Sequence, residues 1–362
     1  MAAVSTRHRL PVFHQLTVES VQADTDHSRI VTFRVPAELD DDYRWLPGQH
    51  VTLRRADADA DVRRSYSICS WPDGALRVGI KRVEGGLFSE WALSSLRAGD
   101  VLDVMTPSGS FTINCDPTAQ RHIVAIAAGS GITPLRAIVE AVLEGEPLSH
   151  VTLLCVNRSA LDAMFLDELA GLKNRFLQRF ALWHVLTREG SDIDLLSGHV
   201  DATRADALIE KRIVETDADA YYLCGPAGFV DIVRAALTLR GVPTNRTHVE
   251  LFTPSTALSG PRPPRAEGAE VTSIATVVLH GRSTTVAVVA GQAVLDATLQ
   301  VRAEAPYSCR SGACSTCRAL LREGTVEMAV NFGLEDDELA AGYVLTCQAM
   351  PTSERVVVDY DA

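Results

Sequence analysis

Apolar and polar side chains alternate along residues 12 to about 115, in runs such as HSRIVTFRVP, GQHVTLRR and ALRVGIKRVEGG. This period of two predicts strands with one buried face. Turn residues separate the runs, at Pro36, Pro47-Gly48, Asp73-Gly74 and Gly85-Gly86. Only LFSEWALSSL has a helical pattern. Many short strands with turn signals predict an antiparallel β-barrel over residues 11–116.

The pattern changes at residue 121, where short continuous apolar runs begin to alternate with helical segments. RHIVAIAAGSGITPLRAIVEAVLEG contains a buried strand, a glycine turn and a helix. HVTLLCVNRS, RFALWHVLTRE and AYYLCGPAGFVDIVRAALTLRG continue the alternation. Strands that alternate with helices predict an α/β doubly wound parallel sheet over residues 117–253.

The last third begins with a segment of different composition. Residues 254–270, PSTALSGPRPPRAEGAE, are rich in Pro, Gly, Ser and Ala and have no apolar period, which predicts a semi-extended linker. From residue 271 a predicted hairpin and helix lead into a cysteine-rich loop. The chain therefore divides into three predicted domains, the last covering residues 271–362.

Composition and charge narrow the class of protein. With 46% apolar residues, 22% charged residues and a net charge of −12, the chain is predicted to be globular and not primarily a nucleic-acid binder. No apolar run reaches the roughly 18 residues of a membrane span, and the N-terminus lacks the apolar core of a signal peptide. The cytoplasm is the default location. Four cysteines are scattered singly over the first 230 residues, which favours a reducing compartment over a disulfide framework.

The other four cysteines have a metal-binding spacing. Cys309, Cys314 and Cys317 form C-x4-C-x2-C, and Cys347 follows after 29 residues. This is the plant-type 2Fe-2S spacing, and Gly312 with its small neighbours lets the loop wrap closely around a cluster. The alternative is a structural zinc site. Zinc sites favour two C-x2-C pairs, whereas only one is present here.

The stretch RRSYSICS has the side chains that a flavin needs. Arg64 can bind a pyrophosphate, and Tyr66 can cover one face of a ring system. Ser67 can form a hydrogen bond with the ring nitrogen at which reduction occurs. Since a chance R-x-Y-S on a strand is common, this motif alone is weak.

A second flavin signal follows in VGIKRVEGGLFSEW. Gly86, Leu87 and Ser89 open a predicted helix, and the free N–H groups at a helix N-terminus bind phosphate. Ile80 and Lys81, at the end of the preceding strand, are further cofactor-binding candidates. The alternative is an ordinary glycine turn with a helix cap.

Two glycine turns in the α/β domain are typical of nicotinamide binding. Gly129 and Gly131 allow the backbone to approach a pyrophosphate, although Pro134 stands where G-x-G-x-x-G has its third glycine. Cys224 and Gly225 end the fourth predicted strand of this domain, where a small polarizable side chain can lie beside a nicotinamide. Alternatively, Cys224 is a core residue, as single cysteines usually are.

Cationic side chains follow the second and third strands of the same domain. Arg158 ends the second strand, and Thr187 and Arg188 end the third. No acidic residue ends the second strand, where NAD-preferring sites often place one. NADPH is therefore favoured over NADH, unless both arginines are only surface charges.

The motifs RSYS, GGLFS, GSGITP, CGP and the cysteine loop occur in this order over residues 11–362. In this respect the chain resembles the ferredoxin–NADP reductase superfamily, in the oxygenase-reductase branch with a C-terminal plant-type ferredoxin. The resemblance implies a β-grasp fold for the last domain, and FAD, NADPH and a 2Fe-2S cluster as cofactors.

The resemblance also implies roles for individual residues. Ser67, Thr133 and Cys224 would lie at the contact of flavin and nicotinamide, with Glu250 and Phe252 closing the other side of the flavin. Thr187-Arg188-Glu189 matches a stretch that contacts the 2′-phosphate in relatives that use NADP. The FAD would be held by Arg64, Tyr66, Ser67, Gly86, Leu87 and Ser89.

The implied partner is a separate non-haem di-iron oxygenase. The first candidate for this oxygenase is the phenylacetyl-CoA 1,2-epoxidase of phenylacetate degradation. The second candidate is a 3-ketosteroid 9α-hydroxylase or another ring-hydroxylating oxygenase. Two other classes stay open: a flavin oxidase or diaphorase whose cluster relays electrons to small acceptors, and a zinc-stabilised module on a non-catalytic nucleotide-binding scaffold. The acidic stretch LEDDEL would steer docking to a basic partner, or is only a solvated helix N-terminus.

Overall fold

A computed structural model describes residues 10–55, 61–72, 74–211, 213–252 and 270–362 of the chain. The chain divides into two compact units, one formed by residues 14–253 and the other by residues 254–362 together with the segment up to Phe13. The predicted turn residue Asp73 and residues 254–269 of the predicted linker lie outside the described residues.

The first unit begins with an antiparallel β-barrel. Its sheet has the strand order β4-β3-β6-β1-β2-β5, and a bridge between Ile68 and Val78 joins the end of β4 to β5. Alternate side chains point inward, so that Leu16, Val18, Val31 and other apolar residues form one core. The elements are β1 (Phe13–Thr25), β2 (Ser28–Arg34), β3 (His50–Arg55), β4 (Val62–Ser67), β5 (Leu76–Lys81), α1 (Leu87–Ser94) and β6 (Val101–Met105).

The same unit continues as an α/β domain with a five-stranded parallel sheet. The strand order is β11-β10-β7-β8-β9. Strands β8 and β9 therefore lie on one side of β7, and the later strands β10 and β11 lie on its other side. The elements are β7 (His122–Ala128), α2 (Ile132–Gly145), β8 (His150–Asn157), α3 (Leu166–Arg175), β9 (Phe180–Leu186), α4 (Ala202–Glu210), β10 (Ala220–Gly225), α5 (Ala227–Leu239) and β11 (Thr247–Leu251).

Helices cover both faces of this sheet. The core on one face contains α2 and α3 residues such as Leu135 and Leu169, and the core on the other contains α4 and α5 residues such as Leu208 and Val233. This confirms the predicted doubly wound domain. The core on the α2 face also includes Ile30 and Phe111 of the barrel, so the two domains of this unit share buried apolar surface.

The second unit has a mixed five-stranded sheet, with the order β13-β12-β18-β14-β16, and a two-stranded sheet of β15 and β17. Its hairpin turns at His280 and Gly281, both with positive φ, which suits the right-handed strand twist. The elements are β12 (Val271–Leu279), β13 (Arg282–Val289), α6 (Val294–Thr298), β14 (Arg318–Glu323), β15 (Val326–Met328), α7 (Asp336–Ala340), β16 (Tyr343–Leu345), β17 (Ala349–Pro351) and β18 (Arg355–Asp359).

Within the described ranges, every helix is too short or too polar to cross a membrane.

Candidate functional site

Three polar side chains from different strands meet inside the first unit. Ser67 ends β4 of the barrel, while Cys224 and Glu250 lie directly opposite each other on β10 and β11. The Ser67 hydroxyl donates to Glu250 Oε2 at 3.3 Å, and Cys224 Sγ lies 3.9 Å from the same oxygen. The barrel and the α/β domain therefore both contribute to this cluster.

Burial controls the protonation of the cluster. It raises the pKa of Glu250 to about 8, and the hydrogen bonds from Ser67 and Cys224 oppose only part of this shift. Burial and the neighbouring Glu250 also raise the pKa of Cys224 well above its usual value. At neutral pH the carboxyl and the thiol are both uncharged, so the cluster offers hydrogen-bond donors in a low-dielectric setting.

The predicted glycine turn packs directly against this cluster. Gly129 has a φ of +57°, and a Cβ on Gly131 would lie 2.1 Å from the carbonyl oxygen of Cys224. The Thr133 hydroxyl donates to the Ser130 carbonyl at 3.0 Å in the first turn of α2. The N-terminus of α2 thus opens at the point between β7 and β10 where doubly wound sheets bind dinucleotides.

The two predicted arginines of the α/β domain are neighbours at the carboxyl ends of β8 and β9. The Arg188 N–H donates to the Arg158 carbonyl at 2.8 Å, and the Thr187 N–H donates to the Asn157 carbonyl at 2.8 Å. Arg158 and Arg188 are both exposed. The carboxylate of Glu189, in contrast, accepts from the Ala160 N–H at 3.1 Å.

Asn157 is a candidate that the sequence analysis passed over. Its side chain is 8% exposed, and its buried Oδ1 has no hydrogen-bond partner among the described residues. A buried amide oxygen needs a donor, and the hydroxyl of a bound nucleotide can supply one at this edge of the sheet. The available signal was a polar amide at the end of a continuous apolar strand.

On the barrel, the side chains of the R-x-Y-S motif differ in their surroundings. Arg63 is buried and pairs with Asp61, whereas Arg64 is half-buried and donates to the Arg63 carbonyl at 2.7 Å. The Tyr66 ring lies 5.6 Å from the Phe88 ring of α1. These features leave the Arg64 guanidinium with donors for a pyrophosphate and give a flavin an aromatic surface, so the motif fits FAD.

A side chain of α1 holds the turn that precedes this helix. Ser89 is buried, and its hydroxyl oxygen accepts from the Val83 N–H at 3.0 Å. Gly86 precedes the helix, and a Cβ there would lie 2.6 Å from Ser89 Oγ. Leu87 is exposed. The first-turn N–H groups of α1 have no intrahelical acceptors and can bind a phosphate, while the Ser89 side chain shapes the turn.

Three remaining candidates have structural contacts of their own. Ile80 is fully buried in the barrel core, so only its backbone can reach a cofactor. Lys81 Nζ donates to the Asp162 carbonyl at 3.2 Å. The Phe252 N–H donates to the Gly225 carbonyl at 2.9 Å, and its ring packs partly buried against the core beside the sheet.

In the second unit, the four predicted ligand cysteines lie in two pairs. Cys309 is hydrogen-bonded to Cys314, and Cys317 to Cys347. These contacts lower the pKa of Cys309 and of Cys347. All four are free thiols, as are the other cysteines of the chain.

The paired arrangement fits a two-iron cluster. Among the described residues, no group of three or more His, Cys, Asp or Glu side chains is placed to hold a metal ion. A 2Fe-2S cluster has four thiolate ligands shared between two irons, whereas zinc needs four donors around one ion. The backbone also bends toward the sulfurs, since the Ser311 N–H lies 3.4 Å from Cys309 Sγ and Gly312 has a φ of +76°.

Gln348 is a second residue that the sequence analysis missed. It is 2% exposed, and its amide nitrogen donates to the Arg310 carbonyl at 2.8 Å while lying 3.6 Å from Cys347 Sγ. The carbonyl partner fixes the amide orientation, so an N–H group faces the ligand sulfur. Its position next to a ligand cysteine was the only available signal.

The acidic stretch of this unit forms a capped helix. Glu335 and Glu338 make reciprocal capping hydrogen bonds at the start of α7, and Glu338 also pairs with Arg318. Asp336 and Asp337 are exposed. The capping hydrogen bonds thus involve two of the four acidic side chains, and three of the four, including Glu335, are exposed.

Three family models match successive parts of the chain. They are the oxidoreductase FAD-binding domain at residues 15–113, the oxidoreductase NAD-binding domain at residues 125–235, and the 2Fe-2S iron–sulfur cluster binding domain at residues 277–352. These matches confirm the predicted cofactor classes and their order. They do not test the roles of individual residues, which stay predictions.

Two relatives and one solved structure match nearly the whole chain. The chain is 40% identical to a subunit of the 1,2-phenylacetyl-CoA epoxidase of Escherichia coli K12, over 98% of this chain and 99% of the relative. It is 34% identical to the ferredoxin reductase component of the Mycobacterium tuberculosis 3-ketosteroid-9-alpha-monooxygenase, over 96% of each. Phthalate dioxygenase reductase, with a TM-score of 0.56 over 96% of this chain and 98% of its own, is 21% identical and shows the shared fold.

Proposed function

Because the chain belongs to the oxygenase-reductase branch of the ferredoxin–NADP reductase superfamily, we propose that it delivers electrons from NADPH to a phenylacetyl-CoA epoxidase. The terminal acceptor in this proposal is a non-haem di-iron oxygenase. The observation that carries it is 40% identity to the epoxidase protein over 98% of this chain, against 34% for the steroid-hydroxylase reductase. The steroid hydroxylase is the second candidate.

The residues of the first unit would bind and orient the two nucleotides. Bound FAD would supply the chemistry that converts a hydride from NADPH, which carries two electrons, into single electrons for the 2Fe-2S cluster. Ser67 and Thr133 would contact the flavin and the nicotinamide from opposite domains. Neutral Glu250 would supply a proton donor beside them, and the buried walls would exclude water.

The choice of NADPH rests on the edge formed by β8 and β9. Arg158 and Arg188 are adjacent there, and Asn157 rather than an acidic residue ends β8. Two guanidinium groups favour a 2′-phosphate, whereas a carboxylate at the end of β8 would favour ribose hydroxyls.

The proposal is tested by coupled turnover. The full chain is mixed with NADPH and the purified oxygenase component of a phenylacetyl-CoA epoxidase, and epoxide formation is measured. The oxygenase component of a 3-ketosteroid 9α-hydroxylase is assayed in parallel. We expect turnover with the first and little with the second, and the reverse result would favour the second candidate.

Cys314→Ser tests whether the cluster lies on this path. We expect it to retain NADPH-dependent ferricyanide reduction, which needs only the flavin, and to lose reduction of the oxygenase. Cys115→Ser is the matched control, since Cys115 is a free thiol of the other unit. If Cys314→Ser still supports oxygenase turnover, the cluster is not on the electron path.

A further inference from the structure

A buried arginine joins the α/β domain to the barrel within the first unit. Arg136 lies in α2, one turn after Thr133, and is 5% exposed. Its Nη1 donates to the carbonyl of Cys69, which lies two residues after Ser67. The helix that contains the predicted nicotinamide contact is thereby hydrogen-bonded to the chain segment that contains the predicted flavin contact.

The same guanidinium takes part in an ion network across the two domains. Arg136 Nη2 lies 2.6 Å from Glu168 Oε2 of α3, and Arg77 of β5 lies 2.8 Å from Glu168 Oε1. Burial raises the pKa of Glu168, but Arg77 and Arg136 together hold it below its usual value. Glu168 is therefore an anion shared by one cation from each domain.

A second contact lies beside this network. Phe165 has a φ of +60°, its N–H donates to Asp24 Oδ1 of the barrel at 3.0 Å, and its ring lies 5.7 Å from the Arg136 guanidinium. A Cβ on Gly79 of β5 would lie 2.8 Å from Thr133 Cγ2. The barrel strand thus touches Thr133 itself.

Stability alone does not explain these contacts. Desolvation of the buried Arg136 guanidinium opposes its attraction to the partly exposed Glu168, and Arg136 Nε has no hydrogen-bond partner among the described residues. A left-handed conformation at a phenylalanine adds strain. A network of directional hydrogen bonds and ion pairs holds the elements that it connects in one defined arrangement.

We propose that Arg136 is a positioning residue that sets the separation of Thr133 and Ser67, and through them the approach of nicotinamide to flavin. This inference rests on the proposed function. Reaction rates depend steeply on such a separation, since a displacement of about 1 Å can cost roughly a hundredfold in rate. Binding of NADPH at the Gly129 turn and the edge of β8 does not depend on Arg136 and stays intact.

The experiment compares Arg136→Met, Arg136→Lys and Glu168→Gln in the full-length holoprotein. Arg175→Met is the control, because Arg175 pairs with Glu144 on the surface of the same domain at 2.7 Å. NADPH-dependent ferricyanide reduction is measured with NADPH and with NADPH deuterated at the transferred position. We expect Arg136→Met to lower kcat at least about tenfold, to change the KM for NADPH less than about twofold, and to raise the isotope effect.

Arg136→Lys is expected to recover part of the rate, and the control to match the wild type. A purely structural role would change the thermal midpoint and the FAD content without changing the isotope effect of the folded fraction. A wild-type kcat and isotope effect in Arg136→Met with full FAD content would overturn the proposal. If Arg136→Met does not fold, the same criteria apply to Arg136→Lys and Glu168→Gln.

Amide hydrogen exchange of the nucleotide-free protein gives a readout independent of turnover. We expect faster exchange at the Phe165 amide in the Arg136 and Glu168 variants, and unchanged exchange in Arg175→Met. Unchanged exchange in every variant would contradict the proposed positioning role of Arg136. If the wild type does not oxidise NADPH, the proposed function fails, and the exchange comparison still decides whether Arg136 fixes the two domains.

Discussion

Glu250 is a buried titratable group in contact with Ser67, the predicted flavin contact. Its carboxyl lies within 3.3 Å of the Ser67 hydroxyl, and burial raises its pKa to about 8. Below that pH the folded protein holds the proton, and above it a negative charge appears beside the group that gains electrons. A carboxylate there opposes reduction.

The rate of flavin reduction by NADPH is therefore expected to fall as the pH rises through about 8. The fall should be roughly tenfold, which corresponds to about 1.4 kcal/mol in the barrier. Glu250→Gln should make the profile flat at the low-pH level. Stopped-flow absorbance between about pH 6.5 and 9.5 measures both profiles, and a wild-type profile with no inflection would contradict this role of Glu250.

Gln348 is expected to tune the cluster. Its amide N–H faces Cys347 Sγ at 3.6 Å, and such a hydrogen bond stabilises the additional negative charge of a reduced cluster. Gln348→Leu should lower the potential by about 60 mV, or roughly 1.4 kcal/mol for one electron, which is within the range of a hydrogen bond to a charged group.

A spectroelectrochemical titration measures that potential in the full chain. Gln300→Leu is the control, since Gln300 is an exposed residue of the same unit. Equal potentials in Gln348→Leu and the wild type, at equal cluster content, would show that Gln348 only holds the Arg310 backbone.

At the scale of elements, the turn between β7 and α2 has little space for an added side chain. A Cβ on Gly131 would lie 2.1 Å from the Cys224 carbonyl oxygen, whereas a Cβ on Gly171 of α3 has no neighbour within 4 Å. The same substitution is thus expected to have opposite effects in two helical segments of one domain.

Gly131→Ala should displace the turn, destabilise the protein by about 1–3 kcal/mol and raise the KM for NADPH. Gly171→Ala should stabilise it by about 0.5–1 kcal/mol, because alanine favours an exposed helix, and should leave the KM unchanged. Urea unfolding and steady-state kinetics measure the two effects. A Gly131→Ala protein with wild-type stability and KM would show that the turn can relax.

At the scale of the molecule, the chain divides so that all four cluster cysteines lie in one unit and both nucleotide signatures in the other. Each unit has its own hydrophobic cores. This division predicts that the two activities can be separated.

A protein consisting of residues 14–253 should bind FAD and reduce ferricyanide with NADPH at close to the full-chain rate. It should not reduce the oxygenase, because it has none of the four ligand cysteines. Visible absorbance and the two assays check this, with full-length Cys314→Ser as the matched comparison. Oxygenase turnover with residues 14–253 alone would place the electron exit on the flavin unit.

The sequence by itself determined the local features. The period of the apolar residues predicted the barrel strands and the α/β alternation, and the four-cysteine spacing predicted the cluster class. These features can be predicted from the sequence because the residues that form a turn, a cap or a ligand loop are close along the chain. The short strands β15 to β17 and the helix α4 were not predicted, since such short or weakly apolar segments have no clear period.

Only the tertiary structure decided which distant residues meet. Ser67 and Glu250 are 183 positions apart and Arg136 and Cys69 are 67 apart, yet each pair is in contact. The unpartnered oxygen of Asn157 also emerged only there, among the residues that the structure describes. Such contacts depend on strand order, on the packing of helices against sheets and on burial. These follow from the fold as a whole, and the pattern of any one segment does not encode them.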